Sequence, residues 1–420
     1  MNTKLYLLLL AALALATGCT HRRPAGRTVL CIPVYGQSLA LGEEALRLTA
    51  FDSLCRESRG RIVTQRMDHC YGYFDLDPLK ERAKRLLAYD RRSFELSAYA
   101  MAQALTSHLG PDTLVCIFPG GQGATPYRGI CRGTAPYHRL LSDLRRAHDE
   151  AARRGWHFIV PAVCWMHGET DMERRTATDY REAMRRFASD IGRDVRHITG
   201  QQEQPRIVTY QTCQLTMAPG FKPHAWHCPE MCVPQAQMEL VRDDTLFWAS
   251  SPVYPFTFAH EGIHLTADGQ RQVGLRAAQA VLSMVRGATR QHGLVPARVT
   301  GHDSTVVVCM KVPCAPLRFD TVAVAKAPCY GFSVISRTGG DGSSSGQDVS
   351  HGGRDIARTA IIRGDSIIIR CSAPVAGCRV RYAVGGEPGT TGPERGPRGN
   401  LCDSSTLPNW CFLFDLIVNE

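Results

Sequence analysis

Four short segments carry residue types whose spacing suits nucleophilic displacement at a carbonyl. The apolar run Val29 to Tyr35 reads as a buried strand and leads straight into Gly36-Gln37-Ser38-Leu39. In an open α/β sheet, ligands meet the chain at the carboxyl ends of strands, so Ser38 stands where a nucleophile belongs. A lone Gly-x-Ser is weak by itself, because most such serines cap or end an element. Further along comes His260-Glu261-Gly262-Ile263-His264. Glu261 precedes His264 by three residues on a turn, which lets the carboxylate hold one imidazole nitrogen and leaves the other as a base toward a serine. Taken alone, that pattern is more often a polar loop with a helix cap.

Two intermediate segments should reach the same edge. Phe118-Pro119-Gly120-Gly121-Gln122-Gly123-Ala124-Thr125 follows a second apolar run, and a Gly-rich turn there can offer a backbone N–H to an oxyanion or simply reverse the chain. Cys164-Trp165-Met166-His167-Gly168-Glu169-Thr170-Asp171 follows a third, and places His167 as a second oxyanion donor or as a structural histidine.

The elements that must position these residues alternate in type. Leu114–Phe118, Phe158–Trp165, Ile207–Tyr210 and Leu246–Ala249 read as further strands. Between them, Ser93–Leu109, Tyr137–Arg154, Thr178–Ile198 and Thr266–Val285 have helical spacing, the last with Thr266 as N-cap. Strands alternating with helices of this length predict parallel βαβ units with helices on both faces, over residues 28–285. Beyond Arg286 the composition shifts to short β-rich runs, Ser304–Met310, Thr321–Ala325, Phe332–Ile335 and Asp365–Cys371, divided by the Gly- and Ser-rich loops Thr338–Gly353 and Gly385–Gly399. Residues 295–420 therefore read as an antiparallel β-rich accessory domain.

Composition narrows the function classes. The chain has 420 residues, 44% hydrophobic and 21% charged, with a net charge of +10. Only six of its 49 basic residues are Lys, and the Arg residues are scattered without forming a block, which argues against a nucleic-acid partner. Lys4 precedes the apolar run Leu5–Ala16 and then Thr17-Gly18-Cys19. This reads as a signal peptide over residues 1–19, too short to span a bilayer comfortably. Small residues ending in Cys resemble the bacterial lipobox, with Cys19 lipidated; an ordinary cut after Ala16 stays open. The expectation is an exported protein that meets the membrane through a lipid anchor only. Leaving Cys19 aside, sixteen cysteines remain, an even number that predicts some disulfides in an exported chain, with Cys309, Cys314, Cys329, Cys371, Cys378, Cys402 and Cys411 as the better candidates. Cys31, Cys116 and Cys164 fall in apolar runs and read as small buried hydrophobes. His224, His227, Cys228 and Cys232 form H-x2-H-C-x3-C, a spacing that fits no common structural zinc pattern and suits a loop disulfide about as well.

Taken in order, the four segments resemble the SGNH hydrolases, specifically the branch of sialate O-acetylesterases and the acetylxylan esterases of carbohydrate esterase family six. That branch carries G-Q-S-N, G-G-T, W-x-Q-G-E-S-D and D-x-x-H blocks. Here they read Gly36-Gln37-Ser38-Leu39, Gly123-Ala124-Thr125, Trp165-Met166-His167-Gly168-Glu169-Thr170-Asp171 and Glu261-Gly262-Ile263-His264. Leu39 replaces Asn, Ala124 a Gly, His167 a Gln and Glu261 an Asp. A looser match, Val380-Arg381-Tyr382-Ala383, Gly399-Asn400-Leu401-Cys402-Asp403 and Leu413-Phe414-Asp415, looks like the ending of sialate O-acetylesterases, where it would pack the accessory domain on the catalytic one.

The resemblance implies a flavodoxin-like three-layer α/β fold and a serine esterase that removes acetyl groups from an acetylated glycan without a cofactor. It casts Ser38 as nucleophile, His264 as base and Glu261 as the orienting acid. The oxyanion would be held by the N–H groups of Ser38 and Gly123 and by His167. A glycan-binding lipoprotein that lost the chemistry, and an esterase acting on other esters, are the alternatives.

Overall fold

A computed structural model describes residues 26–64, 77–78, 94–173, 179–337 and 352–419. The leader with Cys19, the residues Ser93 and Thr178, and positions 338–351 lie outside these. Among the described residues no helix is long and apolar enough to cross a membrane.

The first part alternates strand and helix. In chain order it runs β1 (Thr28–Cys31), β2 (Val34–Gly36), α1 (Phe51–Glu57), β3 (Ile62–Thr64), β4 (Asp77–Pro78), α2 (Ser97–His108), β5 (Thr113–Ile117), β6 (Pro119–Gly121), α3 (Ala135–Arg153), β7 (His157–Ile159) and β8 (Ala162–Met166). It continues with α4 (Glu169–Glu173), α5 (Tyr180–Thr199), β9 (Arg206–Gln211), α6 (Cys232–Asp243), β10 (Phe247–Pro252) and α7 (Ala267–Val285). Pairing gives two five-stranded sheets, β4-β3-β5-β1-β7 and β10-β9-β8-β2-β6.

Three expected strands run through both sheets. Val29–Tyr35 and Phe158–Trp165 each divide in two, because Pro33 and Pro161 lack the N–H that a central ladder needs. The ladder resumes beyond the break, with Cys31 opposite Cys116 and Val34 opposite Pro119. Counting β1/β2, β5/β6 and β7/β8 as bent single strands, the parallel order is 2-1-3-4-5, with β3 and β4 added at one edge. This is the flavodoxin-like order, whose direction of winding reverses beside the first strand. That reversal opens a crevice at the carboxyl ends of β2 and β8, where Ser38 and His167 follow.

Local signals explain the helices on either side. In α5, Asp179 accepts the Glu182 N–H at 3.1 Å and Gly200 closes the last turn at φ 70°. Its apolar stripe Ala183, Met184, Phe187, Ile191 and Val195 is buried. Thr266 caps α7 by accepting the Gly269 N–H at 3.2 Å. Helix α6 was not anticipated; Pro234 in its first turn, where proline is tolerated, hides its helical spacing.

The second part contains β11 (Val295–His302), β12 (Thr305–Lys311), β13 (Arg318–Phe319), β14 (Phe332–Ser336), β15 (Arg354–Asp355), β16 (Ala357–Arg363), β17 (Ser366–Cys371), β18 (Arg379–Tyr382), β19 (Leu401–Cys402) and β20 (Phe414–Ile417). Two antiparallel sheets, β11-β12-β17-β16 and β15-β14-β18-β20, bury a common core, and β13 pairs with β19. Thr321–Ala325 is not a strand: Asp320 Oδ1 accepts the N–H groups of Val322 and Ala323 at 3.0 and 2.9 Å and turns the chain instead.

Side chains from the looser motif tie this part to the first. Arg381, fully buried, donates to the carbonyls of Pro223 and Trp226 at 2.7 and 2.9 Å and pairs with Asp415 at 3.1 Å. Gln211, at the end of β9, exchanges hydrogen bonds with the Leu413 backbone at 2.7 and 2.9 Å.

The expected disulfides are absent among the described residues, where all fifteen cysteines are free. Cys378, Cys402 and Cys411 are core residues, and burial pushes the Cys402 thiol up to about 12. They fill space as small apolar groups. Cys228 faces Glu230 Oε2 at 3.5 Å, whereas Cys232 opens α6. No cluster of three His, Cys, Asp or Glu side chains among the described residues could hold a metal.

Candidate active site

Backbone crowding comes first in building this site. A Cβ on Gly36 would overlap the Met166 carbonyl, and one on Gly121, which sits at φ 115°, would overlap the Gly36 carbonyl. Only glycine lets β2, β6 and β8 approach so closely. Their three following turns are thereby drawn to one edge.

Ser38 opens a 3-10 turn, Ser38–Leu41, at the end of β2, and its side chain is buried. The first N–H groups of such a turn have no partner within it. Neither Ser38 nor Gly123 donates its N–H to another backbone carbonyl among the described residues. The turn is fastened from behind by Gln270 on α7, which donates to the Leu39 carbonyl at 2.8 Å and accepts the Ser97 N–H at 3.2 Å. Leu39 itself points into the core and is fully buried. Gln270 follows His264 by six residues, so the helix that starts beyond the histidine also holds the serine turn.

His264 and Glu261 are brought together as expected. Glu261 Oε1 accepts both the His264 backbone N–H at 2.8 Å and Nδ1 at 2.9 Å. A carboxylate only accepts, so Nδ1 carries the proton and, in the neutral ring, Nε2 presents its lone pair. Nε2 is buried and, among the described residues, without a hydrogen-bond partner. Partial burial pushes the Glu261 carboxyl up, but the N–H groups of His264 and Glu261 and the imidazole outweigh it and hold the group below the usual carboxylate value. The partner of His264 is therefore ionised across the neutral range.

Glu43 was not anticipated. Its N–H donates to the Ser38 carbonyl at 3.2 Å, and its Oε2 lies 3.9 Å from His264 Nε2. Its two carboxylate oxygens lie 3.1 and 3.3 Å from where a side chain on Gly123 would begin. One side chain thus touches the surroundings of the serine turn, the Gly123 turn and the histidine, which shows that these three converge. The Gly42-Glu43-Glu44 sequence gave no signal, since an acidic pair after a glycine reads as solvated surface.

Of the two readings open for His167, the structural one fits its place: against the oxyanion role that the resemblance implied, it is fully buried and both ring nitrogens are engaged within the protein. Nε2 meets the Thr125 carbonyl at 2.9 Å and Nδ1 meets the Tyr180 hydroxyl at 3.0 Å. A carbonyl cannot donate, so Nε2 carries the proton and spends it there. The ring lies stacked on Tyr180, whose hydroxyl also accepts the Trp165 indole N–H at 3.0 Å. His167 therefore braces the turn carrying Gly123, because the carbonyl it holds is two residues further on. Burial, opposed by Asp171 and the Thr125 carbonyl, pushes its pKa below the usual histidine value.

The remaining residues of that segment also have structural partners. Asp171 accepts the Tyr127 N–H at 2.8 Å, and Glu169 accepts the Tyr210 hydroxyl at 2.5 Å. Beside the His264 loop, a cavity of about 280 Å³ is walled by Thr257, Phe258, His260, Thr391, Glu394 and Arg395, mostly polar groups drawn from both parts of the chain.

This arrangement offers an unpartnered base nitrogen, an ionised carboxylate behind it, a serine at a strand end and backbone N–H groups facing the same edge. Those are the parts acyl transfer needs.

Comparison with known proteins points to hydrolysis of carbohydrate esters. Residues 96–283 match the family described as carbohydrate esterase, sialic acid-specific acetylesterase. A carbohydrate acetylesterase from Xanthomonas citri shares the fold, with a TM-score of 0.60 at 18% identity over 92% of this chain and 80% of that one. Weaker likenesses are NanS, with a TM-score of 0.44 at 16% identity over 62% and 98%, and a carbohydrate acetylesterase family member from Sinorhizobium meliloti, with 0.33 at 16% over 61% and 99%. The chain matches none of the curated proteins compared with it.

The role of His167 has a measurable consequence. Its folded-state pKa is depressed, so the unfolded chain binds the extra proton first, below about pH 6.5. Stability present above that value is lost as pH falls. The melting temperature of the wild type should drop more steeply between about pH 7 and about pH 5 than that of His167→Gln, which cannot titrate. Parallel curves for the two proteins would remove His167 as the source.

Proposed function

We propose that this chain, a carboxylic ester hydrolase matching the carbohydrate esterase family over residues 96–283, removes O-acetyl groups from carbohydrate through Ser38, His264 and Glu261. The observation that carries the reading is the His264 pair: Nδ1 held by an ionised Glu261 at 2.9 Å, and Nε2 buried without a hydrogen-bond partner among the described residues. An imidazole so held is a ready base.

In this mechanism His264 Nε2 takes the Ser38 proton as Oγ attacks the ester carbonyl. Glu261 stabilises the imidazolium that forms and keeps the ring in place. The tetrahedral oxyanion is met by the N–H groups of Ser38 and Gly123. Collapse of the intermediate expels the sugar hydroxyl, which receives the proton from Nε2. Water then enters, gives its proton to Nε2, and releases acetate from Ser38 by the same steps in reverse order. His167 acts at one remove, by fixing the turn that presents Gly123. The polar cavity beside the His264 loop suits a hydroxylated group better than an acyl chain, which favours carbohydrate over lipid esters.

Export with lipidation at Cys19 belongs to the same reading. It rests on the apolar run Leu5–Ala16 ending in Gly18-Cys19. Residues 28–285 then form the catalytic domain and 295–420 the accessory one.

Acetate release from a panel of acetylated glycans tests the chemistry. Ser38→Ala and His264→Ala should each lose at least about 10³ in kcat, and the double variant should lose little more, because such groups act as a unit. Glu261→Gln should also lower kcat strongly, since an amide cannot stabilise the imidazolium. A Ser38→Ala enzyme within about tenfold of wild type would refute the assignment. For anchoring, Cys19→Ala should move the protein from the membrane fraction to the soluble one; an unchanged distribution would favour cleavage after Ala16.

A further inference from the structure

We propose that a basic cavity at the far end of α7 is a second, non-catalytic site, and that it binds a carboxylate-bearing oligosaccharide. The inference stands apart from the chemistry assigned to Ser38 and His264. The cavity, of about 690 Å³, lies between the last turns of α7, the end of α2 and the second part of the chain. Helix α7 starts just after His264 and leads away from it. At a rise of 1.5 Å per residue, Leu282 in the cavity wall lies roughly 22 Å along the helix from Ala267.

Positive charge gathers in its walls without a matching acid. Arg286, Arg290, His108 and His292 line the cavity, and among the described residues no Asp or Glu does. Arg286 is exposed and its side chain has no ion pair or hydrogen bond among the described residues. Arg290 donates through Nη2 to the Arg242 carbonyl, which also accepts from Lys311 Nζ at 3.0 Å, and the Arg290 Nε is buried without a partner among the described residues. Asp243 lies near both cations but is already paired with Arg242 at 2.7 Å. Burial first, and Arg290 second, hold the Lys311 ammonium below the usual lysine value. Like charges placed so closely repel, and a bound anion relieves that repulsion.

The remaining walls describe the rest of the ligand. The volume is in the range of sites for extended organic ligands, well beyond the size of a single small anion. Gln279 and Ser283 set an amide and a hydroxyl beside the alkyl groups of Leu275 and Leu282, a mixture that suits the hydroxyls and C–H faces of sugar rings. His108 and His292 each donate Nδ1 to a carbonyl, that of Ala104 at 2.8 Å and that of Gly293 at 2.6 Å. In the neutral ring each Nε2 is then left as an acceptor for a hydroxyl. No Phe, Tyr or Trp lines the cavity, so a nucleotide base has no ring to stack on. Arginine's planar fork matches a carboxylate through two parallel hydrogen bonds, which assigns the acid groups of the saccharide to Arg286 and Arg290.

Calorimetric titration of the whole protein with trigalacturonate, and with the neutral galactotriose of the same linkage, tests the site. The wild type should bind trigalacturonate at least about tenfold more tightly, and its affinity should fall as KCl is raised. Arg290→Gln should weaken binding by on the order of tenfold, and Arg286→Glu by more, since it adds repulsion to the loss of a donor. Arg286 is exposed, so its variant decides the matter even if Arg290→Gln fails to fold. Trigalacturonate should leave hydrolysis of p-nitrophenyl acetate unchanged; competitive inhibition would place the saccharide in the catalytic site and overturn the proposal. Equal affinity for the two saccharides, affinity unchanged in Arg286→Glu, or binding of inorganic phosphate without binding of trigalacturonate would overturn it as well. Binding is read by heat, so failure of the esterase reading would leave these outcomes untouched.

Discussion

The close approach of β2, β6 and β8 at Gly36 is the constraint from which the site is built. The Met166 carbonyl and the Gly121 backbone leave no room for a side chain at that position. In parallel register Gly36 pairs with both Gly121 and Met166, and the three outgoing turns carry Ser38, Gly123 and His167. Proline breaks at Pro33 and Pro161 bend the two inner strands just before this point.

Charge is distributed around this geometry by burial. His264 has carboxylates on two sides, one on Nδ1 and one beyond Nε2, at 2.9 and 3.9 Å. His167, a short distance along the same edge, is buried among Trp165, Tyr180 and the Thr125 carbonyl and is kept neutral. Two histidines thus stand in opposite settings, one between carboxylates and one buried as a fixed donor. Gln270 links the two ends of the candidate site, since it fastens the serine turn to the helix that begins just after His264. The second part is tied to the first through Arg381 and through the Leu413 backbone held by Gln211, and it supplies Thr391 and Arg395 to the cavity beside the His264 loop.

Much of this was legible from residue type and spacing. Strand ends can be read because apolar runs stop there, so Ser38, Gly123 and His167 were placed at the correct edge, and Glu261 meets His264 because three residues on a turn bring them together. The duty of His167 was not legible: Thr125 lies 42 residues before it and Tyr180 13 after, and nothing local reveals that both nitrogens are taken. Glu43 was invisible for a related reason, since its direction depends on a left-handed turn rather than on its neighbours' chemistry. The cysteines misled because their even number suggested pairing, while the fold uses many of them as small core residues. Thr321–Ala325 misled because β propensity yields to the side chain of Asp320, which takes the N–H groups a strand would need.

The central claim is that Ser38 is a nucleophile activated by His264, and covalent labelling reads it without any knowledge of the natural ester. A fluorophosphonate traps an activated serine irreversibly, and digestion with mass spectrometry locates the adduct. The account predicts one adduct, on the peptide containing Ser38, with labelling lost in Ser38→Ala and reduced by on the order of 10³ in rate in His264→Ala. Labelling of a different serine, or equal labelling of the wild type and His264→Ala, would contradict it.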